Sequence, residues 1–316
     1  MNRPPAYFLA ALTAVLLAAG PGLAGYRLVQ GPDPADPLQA RIYRLDNGLT
    51  VYLSENHQEP RFHAEIAVRA GSLNDPPEVT GIAHYMEHML FKGSDEIGTL
   101  DYVQEKVHLD RVEALYEEHF AETDSARRAE LYARINAENQ LAAQYAVPNE
   151  LDRIYTAMGE RGLNAWTWLD ETVYQVDLPI NRLTQWAYVE SERFSNPVFR
   201  LFQTELETVY EEKNRSLDNK DRTIQDAVAA QLYKVHPYGH PTLGSVDHLK
   251  NPSLRRMYAF YHTWYVPNNM AVVISGDLDA QATIELIDRE FSPWQTKDLP
   301  PRRAVKEPSI KAPERV

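Results

Sequence analysis

Apolar positions recur at helical spacing in two short stretches of the chain. In the segment 81–93, Ile82, Tyr85, Met86 and Met89 share one side of a 3.6-residue period. With Thr80 as N-cap and Gly93 as stop, that predicts a short helix with one buried face. In the segment 202–214, after the breaker Pro197, the recurrence of Leu206, Val209, Tyr210, Lys213 and Leu217 predicts a second amphipathic helix. Residues 99–145 carry Val103, Val107, Leu115, Tyr116, Phe120, Leu131, Ile135 and Leu141 among many charges. A break at Asp124-Ser125 and a stop at Pro148 make this an αα-hairpin whose charged faces are solvated surface. Residues 42–45 and 49–53 flank Asn47-Gly48, which predicts a β-hairpin closed by a type I′ turn with positive φ at both central residues. Residues 163–167 read on their own as an ordinary edge strand.

The polar side of the first helix carries the chemistry. His84, Glu87 and His88 form His-x-x-Glu-His, and at 100° per residue the two imidazoles lie within about 40° of each other, with Glu87 roughly 60° to the other side of His84. Two neutral imidazoles four residues apart can hold one Zn²⁺ and leave room for a third ligand and a water. The carboxylate beside the second histidine can take the water's proton. The same spacing suits a solvated, charged helix face, but the buried stripe behind it anchors this helix as a metal site demands. A third ligand must be His, Asp or Glu, because the chain has no cysteine. Glu205 and Glu212, two helical turns apart on the second helix, face the same way; one could ligate and the other support it. Ligation by neutral His84 and His88 predicts zinc occupancy that declines as pH falls through the imidazole range near about 6.5.

The stretch 81–93, followed by 205–214, resembles the N-terminal catalytic domain of the pitrilysin/insulinase (M16) family of zinc metallopeptidases, particularly its bacterial processing-peptidase-like members. The resemblance runs from about residue 39 to 291 and includes His236-Pro237-Tyr238-Gly239-His240-Pro241 and the segment 265–277. It implies an α+β fold: a mostly antiparallel sheet with helices packed on one face, here with the αα-hairpin inserted. It implies Zn²⁺ held by His84, His88 and Glu212, Glu87 activating water, and Glu205 supporting catalysis by orienting a ligand. Glu211 is the neighbour most easily mistaken for the ligand. Leu163, Asn164, Ala165, Trp166 and Thr167 are similar to the strand whose backbone pairs with an extended substrate peptide, with Asn164 and Ala165 as the contact positions. The chain departs from the family pattern in two ways. Positions 89–211, 123 residues, separate the last histidine from Glu212, more than is usual, and the inserted hairpin 99–148 explains the excess. The second domain of the family, which supplies an Arg and a Tyr to the substrate, has no room here. Residues 292–316 read as a Pro-rich charged linker toward it. A truncated gene product and a second half carried on another polypeptide both fit.

Composition adds limits. Removal of residues 1–24 leaves about 290, enough for one large domain at 25–291. The 44% apolar content argues against disorder outside the tail. Forty-five acidic against 32 basic side chains give net charge −13 with no basic cluster, which disfavours nucleic acid as a partner. Residues 1–24 read as a signal peptide: Asn2-Arg3, an apolar run over 6–19, and Gly22-Leu23-Ala24 before the cleavage point. That run is shorter than the ~20 residues of a spanning helix, so no stable membrane span is expected after its removal. Export follows, to the periplasm of a Gram-negative cell, with an N-terminal membrane anchor as the alternative. His236 and His240 have ligand-like spacing, but Pro237 and Gly239 make that segment a turn, and His57, His63, His108, His119, His248 and His262 are scattered. The expected function is zinc-dependent endopeptidase action on extended peptides or small unfolded proteins. The alternative is a zinc-bound peptide-binding or assembly half that is inactive without a second-domain partner.

Overall fold

A computed structural model of the protein describes residues 25–301 and 304–309; the expected signal peptide lies outside the described residues. Seven strands form one sheet: β1 (Tyr26–Gln30), β2 (Arg41–Leu45), β3 (Thr50–Glu55), β4 (Arg61–Val68), β5 (Arg161–Thr167), β6 (Thr172–Pro179) and β7 (Met270–Gly276), in the order β1-β2-β3-β7-β4-β6-β5. Every neighbouring pair is antiparallel except β3 with β7, where Val51 lies opposite Val272 and Leu53 opposite Ile274. The fold is therefore the expected α+β arrangement.

Strand alternation sets the core. On β4, Phe62, Ala64, Ile66 and Val68 are buried while the residues between them are partly exposed. Val51, Leu53, Val272, Ile274, Tyr174, Val176 and Leu178 extend the same buried face across the sheet. Ten helices are described: α1 (Ile82–Met89), α2 (Tyr102–Ala121), α3 (Ser125–Ala142), α4 (Glu150–Met158), α5 (Leu183–Ser195), α6 (Phe202–Asp218), α7 (Lys220–Leu232), α8 (Val246–Leu249), α9 (Leu254–Trp264) and α10 (Ala280–Phe291). Trp186 of α5 meets Phe62 of β4 edge-on at 5.8 Å and Phe291 of α10 at 6.4 Å, and Phe194 meets Tyr174 at 5.1 Å. These contacts lay α5 and α10 on the apolar face.

The inserted hairpin forms as expected, with Asp124 capping α3 through its side chain. Its ends are tied together: Leu100 N donates to Tyr145 O at 2.7 Å and Val147 N to Gly98 O at 2.8 Å. The 123-residue path between the ligand helices thus closes on itself instead of separating them.

Several local expectations need correction. At Asn47-Gly48 only Gly48 has positive φ, +89°, so the turn is not type I′. Gly48 N donates to Leu45 O at 2.9 Å, which makes a three-residue loop with a left-handed last residue. A Cβ at Gly48 would also come within 2.8 Å of the Asn268 side chain, so the approach of that neighbour as well as the turn demands glycine. Val103, Val107 and Leu217 are exposed. In the hairpin, Val112, Leu115 and Tyr116 are the buried apolar positions of α2, and α7, which follows Leu217, buries none of its residues. The hairpin's charges are not all solvated: Glu105 is fully buried against Arg200. The tail does not leave the body at 292, because Trp294 is buried against Phe291, 4.8 Å away, and Phe194. Glu307 accepts from Lys234 N and Val235 N at 3.1 and 2.9 Å.

Candidate metal centre and active site

Helix α1 is buried on almost every side. Ile82, Ala83, Tyr85, Met86 and Met89 belong to the core, and His84 and Glu87 are also buried. Its start differs from the expected Thr80 cap. Gly81, at φ +91°, begins the helix, and a Cβ there would meet Leu243 O at 2.8 Å. Asp75, six residues earlier, supplies the cap: its carboxylate accepts from Gly81 N at 2.6 Å and Ala83 N at 3.0 Å. Thr80 turns the other way, its hydroxyl 2.8 Å from His248 Nδ1. Replacing a cap of this kind costs about 1–2 kcal/mol. Asp75→Ala should lower the urea midpoint accordingly; an unchanged midpoint contradicts the assignment.

Helix α6 packs against α1 so that Glu205 and Glu212, two of its four glutamates, meet the histidines. Glu212 Oε2 lies 3.5 Å from His84 Nε2 and 3.5 Å from His88 Nε2, and the three ligand atoms are all within 4.8 Å of one another. Two ligands about 2.1 Å from a shared tetrahedral centre stand about 3.4 Å apart, so this donor set fits zinc. It is the one such cluster of three or more His, Cys, Asp and Glu among the described residues. Glu211 instead lines a separate cavity with Glu207 and Tyr210.

Glu205 organises His88. Its Oε1 is 2.8 Å from His88 Nδ1 and its Oε2 contacts Lys92 Nζ. A carboxylate only accepts, so Nδ1 carries a hydrogen, which leaves Nε2 as the nitrogen that faces Glu212 and can ligate a metal once its own proton is lost. His84 Nδ1 is buried without a hydrogen-bond partner among the described residues. Burial, helped by the charge of His88, pushes the His84 imidazole down to about 4. For His88 burial acts downward, but hydrogen bonds to Glu205 and Glu212 outweigh it and raise the group to about 9. The hydrogen bond to His88 holds the Glu212 carboxyl below its usual range, against burial.

Glu87 faces β5. Burial raises its carboxyl above the ordinary range, opposed by the hydrogen bond that Thr167 Oγ1 donates to Oε2 at 2.6 Å. Among the described residues, strand β5 ends the sheet and pairs only with β6, Asn164 opposite Gln175 and Ala165 opposite Tyr174. Asn164 is exposed and Ala165 half-buried. A cleft of about 550 Å³ brings together His84, Glu87, His88, Glu205, Glu212, Asn164 and Ala165. Every residue expected at the site thus borders one space.

Sequence reasoning passed over Lys92, Thr167 and Arg222, which border it too. Lys92 was legible as one turn beyond His88; no local signal marked the other two. The segment holding His236 and His240 is the expected turn, with the His236 side chain accepting from Tyr238 N at 3.2 Å. Histidines read as unmatched have partners: His57 with Asp277, His63 with Glu65, His108 with Glu138.

The chain resembles known proteins in sequence and in fold. Residues 50–109 match the sequence model described as insulinase (peptidase family M16), and residues 253–316 the one described as the peptidase M16 inactive domain. The probable zinc protease PqqL of Escherichia coli (strain K12) is 26% identical over 295 residues, 90% of this chain but 26% of that protein. An uncharacterized zinc protease of Bacillus subtilis (strain 168), YmxG, is 22% identical, covering 81% of this chain and 50% of that one. The crystal structure of pitrilysin superposes with a TM-score of 0.65 at 20% identity, over 92% of this chain and 26% of that one. The first half of the periplasmic protease PqqL from Escherichia coli gives 0.64 at 22%, over 87% of this chain and 50% of that one. The last two show the fold. The chain spans about a quarter of the length of the PqqL relatives it matches.

Proposed function

We propose that this chain, matched over residues 50–109 and 253–316 by models of the M16 (insulinase) family, is a zinc-dependent endopeptidase whose cleft cleaves extended peptides or small unfolded proteins. The observation that carries the reading is the meeting of three ligand atoms within 4.8 Å beside buried Glu87, across a cleft from a free strand edge. His84 Nε2, His88 Nε2 and Glu212 would hold Zn²⁺. When bound, the metal would supply Lewis acidity, lowering a water's pKa to about 7 and polarising the scissile carbonyl. Glu87, kept basic but raised by burial, takes a proton from water and returns it to the leaving amine. Glu205 fixes the His88 tautomer, with Lys92 holding Glu205 in turn. The unpaired edge of β5 at Asn164 and Ala165 lines up an extended peptide by strand addition.

The domain reading is a peptidase half at 25–291, with the hairpin 99–148 inserted and 292–316 leading toward a second M16-like domain or subunit. Export by residues 1–24 completes it; no helix among the described residues is long and apolar enough to cross a membrane. A second reading, a zinc-bound peptide-binding half that turns over only with its partner domain, draws support from the match of residues 253–316 to the inactive-domain model. Assay of the zinc-loaded chain on an unstructured peptide, with and without chelator, separates the two. Chelator-sensitive cleavage favours the enzyme, and zinc binding with no cleavage favours the half.

Zinc must displace a proton from His88 in the metal-free protein, because that imidazole titrates near 9; His84, near 4, is already neutral at pH 7. Apparent zinc affinity should therefore rise up to about tenfold per pH unit from pH 6 toward 9, later than ordinary imidazoles would give. Calorimetry at pH 7 should find about one proton released per zinc, as a dependence on buffer ionisation enthalpy. No buffer dependence contradicts ligation by His88.

A further inference from the structure

Thr167 closes strand β5 and is buried, with Oγ1 2.6 Å from Glu87 Oε2 and 3.4 Å from Thr172 Oγ1. Thr172 gives its own hydroxyl proton to Ala70 O at 2.8 Å. A hydroxyl has one proton to donate, and an ionised carboxylate can only accept, so the Thr167 proton is committed to Glu87 Oε2. For a proton to rest on Oε2, Thr167 would have to become the acceptor there and send its own proton to Thr172. That gap, 3.4 Å, is too long for a good O–H···O bond.

We infer that Thr167 is a positioning residue that pins Oε2 of Glu87 and thereby assigns proton transfer to Oε1, a role that rests on the peptidase reading above. As an O–H bond of water breaks, the proton goes to Oε1, and the electron pair left on the water oxygen forms the new bond to the carbonyl carbon while the C=O π pair moves onto the carbonyl oxygen. When that pair re-forms C=O and the C–N pair leaves on nitrogen, the amine nitrogen takes the proton from Oε1 and the carboxylate is restored. The Thr167 proton moves in neither step. Thr167 also lies two residues beyond Ala165 on the strand that would pair with substrate, so the element that lines up the peptide holds the base.

The test uses the zinc-loaded full chain with Thr167→Val, which keeps shape and removes the donor, and Thr167→Ser, which restores it. Displacing a reacting group by about 1 Å can cost on the order of 100-fold, so Thr167→Val should lower kcat roughly 10- to 100-fold with KM within about twofold and zinc content unchanged. Thr167→Ser should recover most of it. A crystal structure of zinc-loaded Thr167→Val should show the Glu87 carboxylate turned away, with His84, His88 and Glu212 in place. Wild-type kcat in Thr167→Val, a loss that serine does not restore, or an unmoved carboxylate overturns the assignment. If the zinc-loaded wild type does not cleave, the peptidase reading fails, and the position of the carboxylate still decides the role of Thr167.

Discussion

Glu87→Gln should lower peptide cleavage by about 10²- to 10⁴-fold while one zinc stays bound. The reasoning is steric as well as chemical. Glutamine matches glutamate in shape, and its carbonyl oxygen can still accept the Thr167 hydroxyl that now meets Oε2 at 2.6 Å. The fold and the ligand set are untouched, since the zinc donors are the histidines and Glu212. What disappears is basicity, at a carboxyl that burial has already raised toward the pH at which a general base works best. Loss of turnover with zinc retained is the expected pair of results. A variant that cleaves at the wild-type rate would remove Glu87 from the chemistry, and one that loses zinc as well would make it structural.

The largest effect on stability should come from a pair outside the cleft. Arg200 gives Nε to Glu105 Oε1 at 2.9 Å and Nη2 to Glu105 Oε2 at 3.2 Å. Its remaining donors reach the carbonyls of Lys92 at 2.7 Å, Ile97 at 2.8 Å and Ser94 at 2.6 Å. All five guanidinium protons are therefore used, and the side chains are 2% and 0% exposed. Removing one partner of such a pair leaves a charge buried without compensation, which costs about 3–5 kcal/mol. Glu105→Ala should therefore lower Tm by on the order of 10 °C. Zinc should bind more weakly too, because Arg200 holds the turn that carries Lys92 behind α1. Glu118→Ala is the control, since Glu118 and Arg134 are 3.9 Å apart and about half exposed, and it should change stability by less than about 1 kcal/mol. Equal effects from the two variants would contradict the anchoring role of Arg200.

These two sites show where sequence reading succeeds and where it stops. His84, Glu87 and His88 were legible because ligand spacing and the apolar stripe behind it lie on one helix, eight residues long, that the pattern alone predicts. Glu205 and Glu212 were legible as a pair two turns apart; their separate roles came from family resemblance. The cap was misread because the residue that accepts from the first helix N–H groups, Asp75, is not adjacent, and local signals favoured Thr80. Glu105 was read as solvated because a buried charge is explained only by its partner, and Arg200 stands 95 residues away. Thr167 was quoted as part of a strand, but its hydroxyl has meaning only once β5 folds against α1. The turn at Gly48 kept its glycine and lost its type, since the loop closes over three residues with only Gly48 of the Asn47-Gly48 pair at positive φ.

Metal content of the zinc-loaded chain after dialysis, compared with His88→Ala, tests the central claim most directly. One zinc per chain in the wild type, falling to a small fraction in the variant, is the result that ligation by His84, His88 and Glu212 predicts. A wild-type content well below one, or a stoichiometry that His88→Ala leaves unchanged, would contradict it.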